Sequence, residues 1–195
     1  MSEDSSPDFL VAPERTATSD FVIRCYRPGD GARLAEAVNA SYDHLKRFMP
    51  WAKPRQSVEE SEKLVRDFAG KYLSSADFVL GVWTPDESRL IGGTGYHLRE
   101  GPISWRNAEV GMWIAADRAG QGLGSAVLRE VLRWGLSEWP WMRISWWCSG
   151  ANLASRRLAE KAGMKFDGVL RGHRIDLDGT RQDSYAYSAL RGEWV

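Results

Sequence analysis

The apolar positions of this chain change period several times, and each change marks an element. Phe21 to Arg27 (FVIRCYR) alternates, with Phe21, Ile23 and Cys25 on one face and a stop at Pro28-Gly29, which predicts a first strand. From Asp30 the period lengthens: Leu34, Ala37, Val38 and Ser41 recur at helical spacing in a run that continues to Met49 and ends at Pro50-Trp51. Ser57 with Glu60 three residues later forms a capping box before the stripe Leu64, Val65, Phe68 and Tyr72, a second helix. Phe78 to Trp83 and Arg89 to Leu98, joined by TPDES, predict a hairpin, and Asn107 to Ala115 predicts a fourth strand.

Beyond Ala115 the helical period returns, with Val127, Leu128, Val131, Leu132 and Gly135 on one face and Arg129, Glu130, Arg133 and Ser137 on the other. Met142 to Cys148 predicts a fifth strand, and Asn152 caps a short helix that Gly163 ends. Met164 to Leu177 and Arg181 to Leu190 flank Asp178-Gly179, a tight-hairpin signal. The result is a mixed α/β (α+β) protein: about seven strands in one sheet flanked by about four helices. Residues 1–20 (MSEDSSPDFLVAPERTATSD) read as a flexible tail and 21–195 as a single domain.

Composition narrows the function. Basic and acidic residues number 26 each, so no global field draws nucleic acid or anionic lipid, and any anion must be held locally. Ten Trp invite a base-stacking reading, but without a basic stripe the phosphate term that dominates nucleic-acid affinity is missing, so most of them are assigned to the core. Cys25 and Cys148 lie far apart with no Cys/His cluster beside them, which argues against a metal site and for buried thiols in a reducing compartment; cytoplasm is the expected location. No apolar run is long enough to cross a bilayer.

Gly120, Gly122 and Gly124 stand where a strand gives way to a long helix, a place where unpaired N–H groups and the helix dipole attract phosphate. A dinucleotide fingerprint would need glycine at Ser125 or Val127, and a P-loop would need Gly-Lys-Ser/Thr; neither is present. The glycines also suit a plain tight turn.

Three blocks decide in favour of a ligand: AEVGMWI, DRAGQGLGSAV and NLASRRLAEKAGMKFDG, with weaker support from SYDHLKRFMPWA. In order and spacing the chain resembles the GNAT superfamily of acyl-CoA-dependent N-acetyltransferases, and within it the RimJ/RimL-like branch that acetylates ribosomal-protein N-termini. One departure is that the loop, which in this family usually begins with Arg or Gln, has Ala119 there. The resemblance implies a V-shaped opening between the fourth and fifth strands that admits acetyl-CoA as co-substrate, with no metal. Its pyrophosphate is expected at the amides of Gln121, Gly122, Leu123 and Gly124, and its pantetheine arm along the strand edge at Trp113 and Ile114.

The remaining roles each compete with a plainer one. Asn152 is a helix N-cap by position, and the resemblance adds a contact to the cofactor arm. Ser155 is an ordinary first-turn serine, and the resemblance makes it the donor to the departing CoA thiolate, since the Tyr many relatives carry is here Ala159. Glu109 shares a strand face with Gly111 and Trp113 and is the expected proton acceptor, through a water, for the attacking amine; otherwise it is a strand acid in a salt bridge. Trp51 and Trp147 are expected to wall the acceptor site, and Arg156 to pair with Glu160 on the helix surface. His44 and His97 have no Ser or Cys partner at a recognisable spacing, so no triad is read, and His173 is left between substrate and solvent.

By resemblance the acceptor amine is a protein N-terminus. A small amine or antibiotic as acceptor, and a non-catalytic acyl-CoA-binding module, remain as alternatives. Besides these ligands, a second copy of the chain, as a homodimer, is an admitted partner.

Overall fold

The computed structural model describes residues 9–176 and 178–194. Eight strands form one mixed sheet in the order β1-β2-β3-β4-β5-β6-β8-β7. They are β1 (Arg15–Ala17), β2 (Val22–Cys25), β3 (Phe78–Trp83), β4 (Leu90–His97), β5 (Asn107–Ile114), β6 (Arg143–Ser149), β7 (Lys165–Ile175) and β8 (Arg181–Leu190). The helices are α1 (Gly31–Ala40), α2 (Tyr42–Leu45), α3 (Val58–Leu73), α4 (Leu123–Ser137) and α5 (Leu153–Lys161).

Two expectations are corrected. Part of the segment read as a tail belongs to the sheet: Arg15–Ala17 pairs antiparallel with β2. Leu10 N–H donates to Ser75 Oγ, and the Tyr72 hydroxyl donates to the carbonyl of Pro13, which fixes the approach to β1. The single helix expected from Asp30 to Met49 is broken at Ser41 into α1 and α2. Ser41 is buried at the break, where its Oγ accepts the N–H of Ala116 from the loop after β5. A tertiary bond thus ends a pattern that is locally helical. The capping box forms as the spacing predicts, Ser57 and Glu60 each accepting the other's backbone N–H.

Strand alternation sorts the sheet into two apolar faces. Ile23, Leu80, Val82, Val110 and Ile144 meet Val127, Leu128, Val131 and Leu132 of α4 and Ala159 of α5. Val22, Trp83 and Leu90 meet Leu34 and Val38 of α1 and Val65 of α3. Trp83, Trp134, Trp139 and Trp141 are fully buried, so these four of the ten Trp serve packing rather than ligand contact. Gly135 lets α4 close on the sheet, since a Cβ there would stand 2.6 Å from Ile144 Cδ1. No helix among the described residues is long and apolar enough to cross a membrane.

Candidate active site

Neighbouring strands of the sheet part between β5 and β6. β5 and β6 run parallel, yet their ladder consists of three rungs only: Asn107 with Arg143, Ala108 with Ile144, and Glu109 with Ser145. β5 continues to Ile114 and β6 to Ser149 with no further pairing between them. The V-shaped opening expected between these two strands is therefore present. It exposes backbone N–H and C=O groups on both inner edges, the condition for an extended amide-bearing ligand to add as a strand.

Two helix N-termini flank the open end. Gly122 caps α4 in the left-handed conformation at φ 86°, after Gly120 at φ 74°, a pair of turns that residues with a Cβ adopt poorly. The N–H groups of Gln121, Gly122, Leu123 and Gly124 have no acceptor among the described residues. A Cβ at Gly124 would lie 3.8 Å from Ile114 of β5 and 3.8 Å from Leu158 of α5, so the first turn of α4 sits between those elements. The arrangement is a nest of donors at a dipole's positive end, beside the gap. Trp113 and Ile114 lie on β5 beyond its last rung with β6, paired there with β4 only.

On the α5 side, Asn152 acts as the predicted N-cap: its Oδ1 accepts the N–H of Ser155 at 3.0 Å, which leaves its amide group for another contact. Ser155 Oγ accepts the indole N–H of Trp146 at 3.0 Å. Cys148, on the same strand as Trp146, is buried, and burial pushes its thiol up, so it stays protonated and takes no ionic part. The expected Arg156–Glu160 pair does not form. Arg156 instead stacks over Tyr185 at 3.9 Å, and Glu160 accepts from the Tyr187 hydroxyl at 3.0 Å, because β8 passes close enough to compete with a solvent-exposed helix pair.

The opposite face of the splay carries the groups expected to meet an acceptor. Glu109, on the last rung, is bound by the Arg99 guanidinium. Trp51, half exposed, meets Trp113 edge to face with ring centroids 6.1 Å apart. Trp147 lies across the gap on β6, its indole N–H donating to Glu100 at 2.9 Å and its ring 6.0 Å from His173. His173 in turn is hydrogen-bonded to Ser184 Oγ. His44 is on α2, and its side chain makes no hydrogen bond among the described residues. His97 is a different matter, for it is bonded to Asp77 through Nδ1 and lies directly opposite Glu109 in the β4–β5 ladder. Sequence reasoning passed over it because Asp77 is 20 positions away and outside any local motif. No cluster of three or more His, Cys, Asp or Glu that could hold a metal occurs among the described residues.

A parted parallel strand pair capped by a glycine-built helix N-terminus defines an acyl-CoA-dependent transferase. Residues 20–165 match the model of the acetyltransferase (GNAT) domain, and the chain belongs to that family: it is an acyl-CoA-dependent N-acetyltransferase. It is similar to the uncharacterized N-acetyltransferase YoaA of Bacillus subtilis (strain 168), 30% identical over 159 residues that cover 80% of this chain and 88% of that one. The putative ribosomal N-acetyltransferase YdaF of the same organism is 26% identical over 175 residues, 89% of this chain and 93% of its own. Among solved structures, RimL, a ribosomal L7/L12 alpha-N-protein acetyltransferase in complex with coenzyme A, superimposes with a TM-score of 0.79, covering 91% of this chain and 98% of that one at 18% identity.

Proposed function

We propose that the protein transfers acetyl from acetyl-CoA to the α-amine of a protein N-terminus by direct attack within a ternary complex. The observation that carries this reading is the three-rung ladder between β5 and β6, which opens an edge of the right kind beside four unengaged N–H groups. The pyrophosphate is assigned to the amides of Gln121 to Gly124, and the pantetheine arm to the edge at Trp113 and Ile114, with Asn152 contributing from the other side. Holding both reactants in one cleft supplies proximity, and a backbone donor of β5 polarises the thioester carbonyl. Ser155 donates toward sulfur as the thiolate leaves. Glu109 meets the incoming ammonium with its carboxylate, in exchange with Arg99.

A chain end suits the acceptor face better than a polycation. Its carboxylates are already engaged, Glu109 by Arg99, Glu100 by Trp147 and Asp77 by His97, while Trp51, Trp113 and Trp147 offer aromatic walls to an extended peptide. The likeness to YdaF, a putative ribosomal N-acetyltransferase, supports the same reading. The test is an acceptor screen by mass spectrometry with N-terminal Ser, Ala and Met peptides, polyamines and aminoglycosides. Acetylation of peptide α-amines is the expected result. Acetylation of the small polyamines or aminoglycosides alone makes the protein a small-amine acetyltransferase, and bound acetyl-CoA without transfer to any class makes it a binding module.

A further inference from the structure

We propose that His97, oriented by Asp77, is the catalytic group that takes the proton from the acceptor's ammonium; this rests on the acetyl-transfer reading above. The position of the ring is fixed by two glycines paired with each other across β4 and β5. A Cβ on Gly111 would stand 3.3 Å from His97 Nε2, and one on Gly95 would stand 3.3 Å from Cε1. The imidazole therefore lies on the sheet face above these residues, in space that any larger side chain would crowd. Gly111 is two residues past Glu109, the last rung shared by β5 and β6, so Nε2 is aimed at the throat where the strands separate.

The other ring nitrogen is committed. Nδ1 lies 2.9 Å and 3.1 Å from the two carboxylate oxygens of Asp77. An ionised carboxylate only accepts, so a neutral imidazole must carry its proton on Nδ1, which leaves a lone pair on Nε2. Nε2 makes no hydrogen bond among the described residues. The ionisable groups beside the ring are Asp77 before β3 and Glu109 on β5 with its partner Arg99. Glu109 is the poorer acceptor on geometry, because the Arg99 guanidinium already occupies its carboxylate. Directly opposite residues in a ladder hold their Cβ atoms about 5 Å apart, so an ammonium drawn in by Glu109 arrives beside His97.

The protons balance. The ammonium gives one proton to Nε2, and the freed nitrogen lone pair forms a bond to the thioester carbonyl carbon. The carbon–sulfur bond then breaks with its electron pair on sulfur, which takes one proton through Ser155 to become the CoA thiol. The nitrogen loses its second proton as the amide forms, so each acetyl moved from thioester to ammonium releases one proton to solvent.

Two measurements on the full chain test this. Long-range proton–nitrogen NMR near neutral pH reads the tautomer without any turnover: His97 protonated on Nδ1 is expected, and protonation on Nε2 overturns the proposal. In steady-state assays with a peptide acceptor, His97→Gln lowers kcat about 100-fold and abolishes the acid limb of the pH–rate profile, with the KM for acetyl-CoA held within about twofold. Asp77→Asn lowers kcat about tenfold and moves the His97 proton toward Nε2, as loss of an orienting carboxylate requires. His97→Asn serves as the second variant if Gln disturbs packing. An unchanged kcat in both His97 variants overturns the proposal while acetyl transfer itself stands. Bound acetyl-CoA with no transfer by the wild type overturns the acetyl-transfer reading and the proposal together.

Discussion

Ser155 Oγ accepts the indole N–H of Trp146 at 3.0 Å, a bond that joins the first turn of α5 to a buried side chain of the opened strand β6. With one lone pair engaged, the hydroxyl keeps its hydrogen to donate, to the neighbouring Cys148 sulfur or, in the proposed reaction, to a leaving thiolate. Ser155→Ala is expected to lower kcat about tenfold, less than a titrating acid would, with acetyl-CoA binding unchanged. Trp146→Phe, which removes the donor but keeps an aromatic ring, falls between. Thiol release under saturating acetyl-CoA reads both.

Glu109→Gln preserves shape and removes the charge proposed to meet the ammonium. The KM for the amine is expected to rise about tenfold while acetyl-CoA affinity by calorimetry stays the same. A KM that does not move would place Glu109 in a structural pair with Arg99 and nothing more.

Gly122→Ala tests the donor nest. Nothing lies within 4 Å of a Cβ at this position, so the cost is conformational, about 1 kcal/mol for leaving glycine at φ 86°. The strained turn reorients the N–H groups, and the acetyl-CoA Kd is expected to rise about tenfold by isothermal titration, with the melting temperature falling only slightly. Gly70→Ala, at an exposed site in α3 with open space around it, is the contrasting substitution and should stabilise by about 0.5–1 kcal/mol without touching ligand binding.

Away from the site, Arg24 is buried between Asp30 and Glu87 and lies 4.0 Å over the Trp83 ring. Burial works to raise the Glu87 carboxyl, but hydrogen bonds from Arg15 and Arg24 outweigh it and hold the group below its ordinary value of 4.5. A depressed carboxyl contributes stability that is complete above the unfolded value and lost as pH falls through the folded one. Denaturation midpoints of the wild type should therefore drop below about pH 4.5 more steeply than those of Glu87→Gln. Arg24→Met, which leaves Asp30 without its ion-pair partner and Glu87 with Arg15 alone, should cost about 3 kcal/mol near neutral pH.

Much of the fold was legible because burial on one face writes alternation into strands and a stripe into helices; Phe21, Ile23 and Cys25, or Val127, Leu128 and Val131, are unambiguous in this respect. What was not legible depends on distant partners. Arg15–Ala17 has only one buried side chain and becomes a strand through β2. Ser41 ends α1 because of an N–H 75 positions away. Arg156 abandons its helical neighbour for Tyr185 on β8. In the site, the glycine turn and the parted strands were readable from local spacing together with a family resemblance. The His97–Asp77 pair was not, since neither residue announces the other in sequence.

The central claim is that acetyl-CoA occupies the gap between β5 and β6. A crystal structure of the protein with the ligand tests it most directly. The pyrophosphate is predicted within hydrogen-bonding distance of the N–H groups of Gln121 to Gly124, with the pantetheine arm between Val110–Ile114 and Trp146–Ser149. A ligand bound elsewhere, or strands zipped together past Glu109 and Ser145, would contradict the account.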